Sequence, residues 1–279
     1  MLQPDTARRA VRERDDLGWF SGGDAYERYI GRWSRPVAEL FLDWLDLPVG
    51  LRWVDVGCGT GALTAELLRR ASPTSVVGVE PSEAFLRRAR ASVPDDRAAF
   101  LLGDAQDLPL AARRADAIVS GLVLNFVPDP RRALGEMRRV AAPGGTIAAY
   151  VWDYGGEMQM LGFFWRAVVD LFPDDADFVE AERFPLCEPG ALEELFVASG
   201  LEAVEVRGLD AQTPFADFED YWSPFLLGQG PAGAFCASLS ERDRDRLGRH
   251  LEASLPIGPT GTIDLVARAW SVRGRAPAP

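Results

Sequence analysis

Between Leu51 and Val151 short apolar runs alternate with amphipathic stretches of helical period, and no other feature constrains the fold as tightly. LRWVDVG, SVVGVE, AAFLLG, ADAIVSG and TIAAYVW each have the near-continuous apolar character of a strand buried on both faces. TGALTAELLRRA, SEAFLRRARASV and DPRRALGEMRRVA gather their apolar residues on one helical face, and Pro143-Gly144-Gly145 closes the last of them. Strands separated by such helices run parallel, joined by right-handed crossovers, with helices on both faces. The fold class expected is therefore α/β.

The flanks add to this core. Asp24 to Leu47 carries apolar residues at helical spacing and stops at Pro48-Val49-Gly50. Two later stretches, 153–189 and 214–259, break the alternation. Between them GALEELFVASG predicts a helix with Gly200 at its C-cap, followed by the strand LEAVEVRGL; TIDLVARAWSV predicts a last strand. The expected organisation is a flexible segment at 1–23, one domain over 24–272 and a disordered tail at 273–279. Within the domain, 24–48 is an N-terminal lid helix, 50–152 the core, 153–189 and 214–259 cap insertions, and 260–272 the final strand.

Composition narrows the function classes. With 279 residues, 47% hydrophobic, the chain buries a sizeable core, and no apolar run reaches the roughly 20 residues of a membrane span. The N-terminus lacks an apolar leader and carries acids, so a cytoplasmic protein is expected. A net charge of −12 argues against nucleic acid, whose phosphates call for clustered cations. The local arginine groups, Arg8 to Arg14 and Arg131 to Arg139, are interleaved with acids or spaced along a helix, and read as solvated faces. Cys58, Cys187 and Cys236 match no zinc spacing and form no even set, so neither a metal nor a disulfide framework is indicated. A small-molecule partner is expected, without membrane or nucleic acid, in a monomer or homodimer.

The turn after the first strand, within VDVGCGTGAL, carries the chemistry. Gly57, Gly59 and Gly61 remove the Cβ atoms that would hold a ligand off, and the helix that follows presents free N–H groups. Gly57 to Ala62 also satisfies the relaxed dinucleotide pattern, and a ligand-free tight turn fits the glycines too. Asp55 favours one ligand over the other. Two residues before Gly57 on a strand, its carboxylate would repel a pyrophosphate but favour the sulfonium and ammonium of S-adenosylmethionine. A capping or turn-stabilising role can coexist with this one. Glu80 ends the next strand, where a carboxylate accepts from both ribose hydroxyls of either cofactor. Asp104 follows the third, placed to accept from an adenine amino group with the Ala105 N–H facing the ring. Three acids at the carboxyl ends of three successive parallel strands lie where open α/β sheets bind ligands.

DVGCGTG, EPS, GDAQDLP, ADAIVSGLVLNFV and RRALGEMRRVAAPGG followed by a strand resemble the ordered motifs of the class I S-adenosylmethionine-dependent methyltransferases. The likeness is to the ubiquinone/menaquinone-biosynthesis-like branch (methyltransferase type 11) and covers residues 50–152. It implies a Rossmann-like sheet of order 3-2-1-4-5-7-6 with strand seven antiparallel and helical cap insertions. It also implies roles: Asp55, Gly57, Cys58, Gly59 and Gly61 for the methionine part, and Glu80 with Pro81 for the ribose. Asp104, Ala105 and Gln106 would take the adenine, and Gly121 and Leu122 would lie beside the sulfonium. The segment YERYIGRW resembles the lead-in helix of a bacterial subgroup. Tyr29, Arg32 and Trp33 are thus lid candidates, although aromatics there also serve to pack the helix.

The activity implied is methyl transfer to a small, apolar or aromatic molecule, leaving S-adenosylhomocysteine. Transfer from a sulfonium needs alignment and desolvation rather than an acid or base. His250, the one histidine, lies in the charged stretch ERDRDRLGRHLEASL and reads as a surface residue. Asp153 and Tyr154 are the candidates should a base be used. The insertions would build the acceptor pocket, with Trp152, Tyr154, Trp165, Tyr221 and Trp222 as lining candidates and most other aromatics forming the cap's own core. The rivals are an NAD(P)-dependent oxidoreductase, non-methylating chemistry on the same cofactor, and a domain that holds it only as a structural ligand. The oxidoreductase lacks a Ser/Tyr/Lys or Cys/His set, since all 30 basic residues are arginine.

Overall fold

The computed structural model describes residues 31–174 and 184–278. Each apolar run becomes a strand: β1 (Arg52–Val56), β2 (Ser75–Glu80), β3 (Ala98–Leu102), β4 (Ala115–Gly121), β5 (Ala141–Trp152), β6 (Glu202–Phe215) and β7 (Ile263–Arg275). They form one sheet of order β3-β2-β1-β4-β5-β7-β6. β1 pairs in parallel with β2 and β4, β2 with β3, and β4 with β5, whereas β7 runs antiparallel to β5. This is the order and direction expected, in an α/β fold.

The helices obey local rules. α1 (Ser34–Leu45), α2 (Ala62–Arg70), α3 (Glu83–Ser92) and α4 (Pro130–Val140) accompany the first five strands. The Ser82 hydroxyl accepts from Phe85 N at 3.3 Å to start α3, and Asp129 accepts from Arg132 N at 3.0 Å to start α4, with Pro130 at its first turn. Phe41 of α1 sets its ring 4.6 Å from that of Tyr150 on β5. Arg273 of β7 lies over Trp44 and donates to the carbonyls of Trp44 and Leu45, satisfying the orphan C-terminal acceptors of α1. Val54, Val56, Ile118, Val119, Ile147 and Val151 are buried among these layers. Each such side chain contributes about 1.5–3 kcal/mol of transfer free energy.

Three boundaries differ from expectation. The described part of the lid helix is a 3-10 turn, Gly31–Trp33, before α1, and residues 1–30 lie outside the described residues. Pro143-Gly144-Gly145 does not separate α4 from its strand, because β5 already starts at Ala141. The register slips between the pairs Ala115↔Ala141 and Ala117↔Thr146, so the Pro-Gly-Gly stretch is an irregularity inside the strand. That longer β5 corrects the disordered tail: Arg273, Gly274 and Arg275 pair with Ala148, Ile147 and Thr146, and Ala276 N donates to Gly145 O.

The chain divides into two compact units. One comprises Ser34–Trp152, Leu186–Leu209 and Ala269–Pro279, so it takes in α6 (Pro189–Ala198), which ends at left-handed Gly200 (φ 72°) as predicted. The other comprises, among the described residues, 31–33, 153–174, 184–185 and 210–268. It holds α5 (Gln159–Leu171), α7 (Phe218–Trp222), α8 (Gly230–Ser238), α9 (Glu241–Ser254) and the far ends of β6 and β7. The insertions thus share this unit with those strand ends, while 186–189 falls outside it. Its core is aromatic: Phe164 stacks on Phe225 at 4.5 Å, and Trp165 and Phe235 pack against Phe164. No helix among the described residues is long and apolar enough to cross a membrane.

Candidate cofactor site

Gly57, Gly59 and Gly61 all adopt positive φ (75°, 54° and 90°), which an L side chain resists, so the turn from β1 into α2 demands glycine. They are not equivalent. A Cβ on Gly57 would lie 2.5 Å from the Val123 side chain, and one on Gly61 would lie 3.0 Å from Val93. A Cβ on Gly59 would meet nothing within 4 Å. Two glycines therefore close the turn onto its neighbours, and the middle one leaves open space through which a ligand can reach the backbone. The Gly57 and Cys58 N–H groups both donate to Val79 O, which ties the turn to the end of β2.

Asp55 and Glu80 stand behind this turn. Asp55 is 1% exposed. Its Oδ2 accepts from the Thr64 hydroxyl of α2 at 2.7 Å, whereas its Oδ1 is buried and has no donor. Burial pushes its pKa up to about 7, the Glu80 charge adds to the rise, and the Thr64 hydrogen bond opposes it. Glu80 braces the turn: Oε2 accepts from Gly59 N at 3.1 Å and Oε1 from Ser82 N at 3.0 Å. Its pKa is also raised, by burial, with those two backbone donors opposing. The Cys58 thiol, buried near both carboxylates, is pushed far above the ordinary thiol range and is no nucleophile.

The third acid behaves differently. Asp104 is exposed; its Oδ1 accepts from Gln106 N at 2.8 Å and from Gln106 Nε2 at 3.2 Å. Gln106 in turn accepts from Asp129 N through its side chain and from Arg132 Nε through its carbonyl, so the loop is fixed to the start of α4. Pro81 is exposed between Glu80 and the α3 cap. On β4, a Cβ at Gly121 would meet the Tyr150 hydroxyl at 2.5 Å, and Leu122 adopts a left-handed φ of 61°. A backbone so strained in a leucine at a strand end is a common mark of a functional turn.

These residues fit the cofactor that the motifs imply. An acceptor atom buried without a donor, Asp55 Oδ1, invites a cationic or hydrogen-bonding group, and Gly59 leaves the approach clear. Arg90, which acts electrostatically on Cys58, is held by Glu83 and Phe100 O. A pyrophosphate at this turn would meet two buried carboxylates.

The remaining candidates belong to the other unit, Trp152 excepted. Tyr29 lies outside the described residues. Arg32 pairs with Asp220 at 2.7 Å and lies over the Trp33 and Phe215 rings. Asp153 is turned inward, its Oδ2 accepting from Glu157 N at 2.9 Å, and Tyr154 packs on Phe184. The pocket expectation needs correction for Trp165, Tyr221 and Trp222, whose rings fill the aromatic core; the Tyr221 hydroxyl donates to Met160 O. Trp152 on β5 is buried with its indole N–H unpartnered. His250 sits on α9, half-exposed against Asp170, as its charged surroundings predicted. Sequence reasoning missed Thr64, Val123 and Tyr150; only Thr64 had a signal, a polar side chain on the helix face that packs on the strands.

Comparison with known proteins agrees with this geometry. Residues 54–149 match the family described as methyltransferase domain. An uncharacterised methyltransferase of Mycobacterium bovis is 37% identical over 173 residues, 62% of this chain and 65% of that protein. The chloroplastic 2-methyl-6-phytyl-1,4-hydroquinone methyltransferase of Spinacia oleracea is 29% identical over 183 residues, 64% of this chain and 53% of that one. The chain thus spans less than two thirds of either relative. Phosphoethanolamine N-methyltransferase 2 of Haemonchus contortus, solved with S-adenosylmethionine, shares the fold at a TM-score of 0.57 with 18% identity, covering 99% of this chain and 60% of that one. Over residues 54–149 the chain is thus similar to the methyltransferase domain family, and its strand order is that of the fold those relatives share.

Proposed function

We propose that this protein transfers a methyl group from S-adenosylmethionine to a small planar or apolar acceptor in the cytoplasm. The observation that carries the reading is the buried Asp55 Oδ1, without a donor among the described residues, next to a second buried carboxylate, Glu80, at the glycine turn. Asp55 accepts from the methionine part of the cofactor, Glu80 uses its remaining lone pairs for the ribose, and Asp104 with the Ala105 N–H takes the adenine. Gly121 and Leu122 line the methionine end. Thr64 holds Asp55 in place from behind. The cofactor, once bound, supplies a sulfonium-activated methyl group.

The protein's own contribution is orientation and exclusion of water, which can lower such a barrier by about 7–11 kcal/mol. The potential bases are engaged: His250 with Asp170, Asp153 with its own turn, Tyr221 with Met160 O. Burial also drives the Tyr221 hydroxyl well above its ordinary range and the Cys236 thiol to about 12. The spinach relative's hydroquinone acceptor, named in its description, supports an aromatic small molecule over a macromolecule.

Thermal stabilisation tests the reading directly. S-adenosylhomocysteine is expected to raise the melting temperature and NADH to leave it unchanged. The reverse result would make the chain an oxidoreductase. Product analysis with labelled S-adenosylmethionine then separates methylation from other chemistry on that cofactor.

A further inference from the structure

Arg32 is held in an unusual frame. Its guanidinium carbon lies 4.5 Å from the Trp33 ring centre and 4.6 Å from that of Phe215, so an aromatic ring packs against it on two sides. Nη1 donates to Asp220 Oδ1 at 2.7 Å, and Asp220 is itself fixed by accepting from Ala216 N through its other oxygen. Nε and Nη2 are buried and donate to no group among the described residues. Those two N–H groups form the side of the guanidinium that grips a carboxylate with two parallel hydrogen bonds.

Other donors in the same unit share this deficit. Trp33, 7% exposed, has a buried indole N–H with no acceptor. Thr213, 1% exposed, has a buried hydroxyl with no partner, two residues before Phe215 on the same buried face of β6. Leaving a buried donor unpaired costs about 1–3 kcal/mol, so each of these groups calls for an acceptor. Asp220 neutralises part of the arginine charge. The site therefore selects by planar, two-pronged geometry rather than by net charge, which favours a carboxylate over a simple inorganic anion.

We infer that Arg32, with the Trp33 indole and the Thr213 hydroxyl, forms a binding site for the carboxylate of an aromatic or otherwise planar acid. The aromatic frame suits the flat body of such an acid, and the fork fixes its orientation.

The test uses the full chain with benzoate, phenylacetate and trans-cinnamate, each compared with its amide, in thermal-shift and calorimetric titrations with and without S-adenosylhomocysteine. At least one acid is expected to bind roughly tenfold more tightly than its amide. Arg32→Gln is expected to abolish that difference, and Arg32→Lys, which keeps the charge without the fork, to restore little of it. Acids and amides that bind alike to the wild-type protein overturn the inference, and this comparison needs no variant to fold. S-adenosylmethionine also carries a carboxylate, so 5′-methylthioadenosine, which lacks one, is the control. If Arg32→Gln weakens S-adenosylhomocysteine but not methylthioadenosine, the fork serves the cofactor's own carboxylate and the inference falls.

Discussion

Titrating S-adenosylhomocysteine into the protein between about pH 5.5 and pH 8.5 probes the Asp55 carboxyl, whose pKa burial lifts from 3.8 to about 7. Below that value the folded protein holds a proton that the unfolded chain has released. Asp55 therefore lowers stability progressively as the pH rises from about 4 to about 7, by an amount of order 4 kcal/mol, and the loss is complete above that range. A ligand ammonium against the donorless Oδ1 reverses the effect, because it favours the charged form. Affinity is then expected to rise close to tenfold per pH unit up to about pH 7 and to level off beyond. Near pH 6, calorimetry in buffers of different ionisation enthalpy should register the release of nearly one proton per ligand bound.

Asp55→Asn should flatten that profile and weaken binding at pH 8 by roughly tenfold or more. Glu80 is the other titratable group at the turn, its pKa raised in the same direction, and Cys58 stays neutral throughout. Glu80→Gln separates the two carboxyls: it is expected to lower affinity while keeping the inflection. An affinity independent of pH, with no proton released, would refute the placement of Asp55 against the cationic end of the cofactor.

Further perturbations test the surroundings. Thr64→Val leaves Asp55 Oδ2 without its 2.7 Å donor and should cost about 1–3 kcal/mol in urea unfolding while raising the pH inflection further. Gly57→Ala combines a φ of 75° with a 2.5 Å approach to Val123, so a loss of about 1–3 kcal/mol is expected; Val123→Ala in the same chain should recover only the steric share. Phe164→Ala empties the middle of the aromatic core and should cost about 3–5 kcal/mol, measured by the same unfolding assay.

The middle of the sheet was legible in the sequence because β1, β2, β4 and most of β5 are buried, so apolar runs mark them without reference to anything distant. β2 and β4 fall on the predicted runs residue for residue. What failed did so where pairing, not propensity, decides. Pro143-Gly144-Gly145 reads as a break, yet the neighbouring β4 accepts a slipped register and carries the strand through it. The same longer strand recruits Arg273 to Arg275, which alone look like the start of a Pro-rich tail. β6 likewise runs six residues past its apolar segment to Phe215, and there buried residues alternate with exposed ones.

The two candidate sites differ in the same way. Asp55, Glu80 and Asp104 were legible because each lies at or just beyond a strand end, and the fold brings such ends together whatever the rest of the chain does. Thr64 escaped notice because it matters only through Asp55, and the orphaned Oδ1 shows only once the fold has buried it. The Arg32 fork depends on Asp220, 188 positions away, and on Thr213 and Phe215 arriving with β6. No spacing in a sequence encodes such a meeting. The feature it shares with Asp55 is a hydrogen-bonding group that folding has stripped of water without supplying a partner. At Asp55 the missing group is a donor and at Arg32 an acceptor, so the first calls for a cationic or hydrogen-bonding ligand and the second for an anionic one.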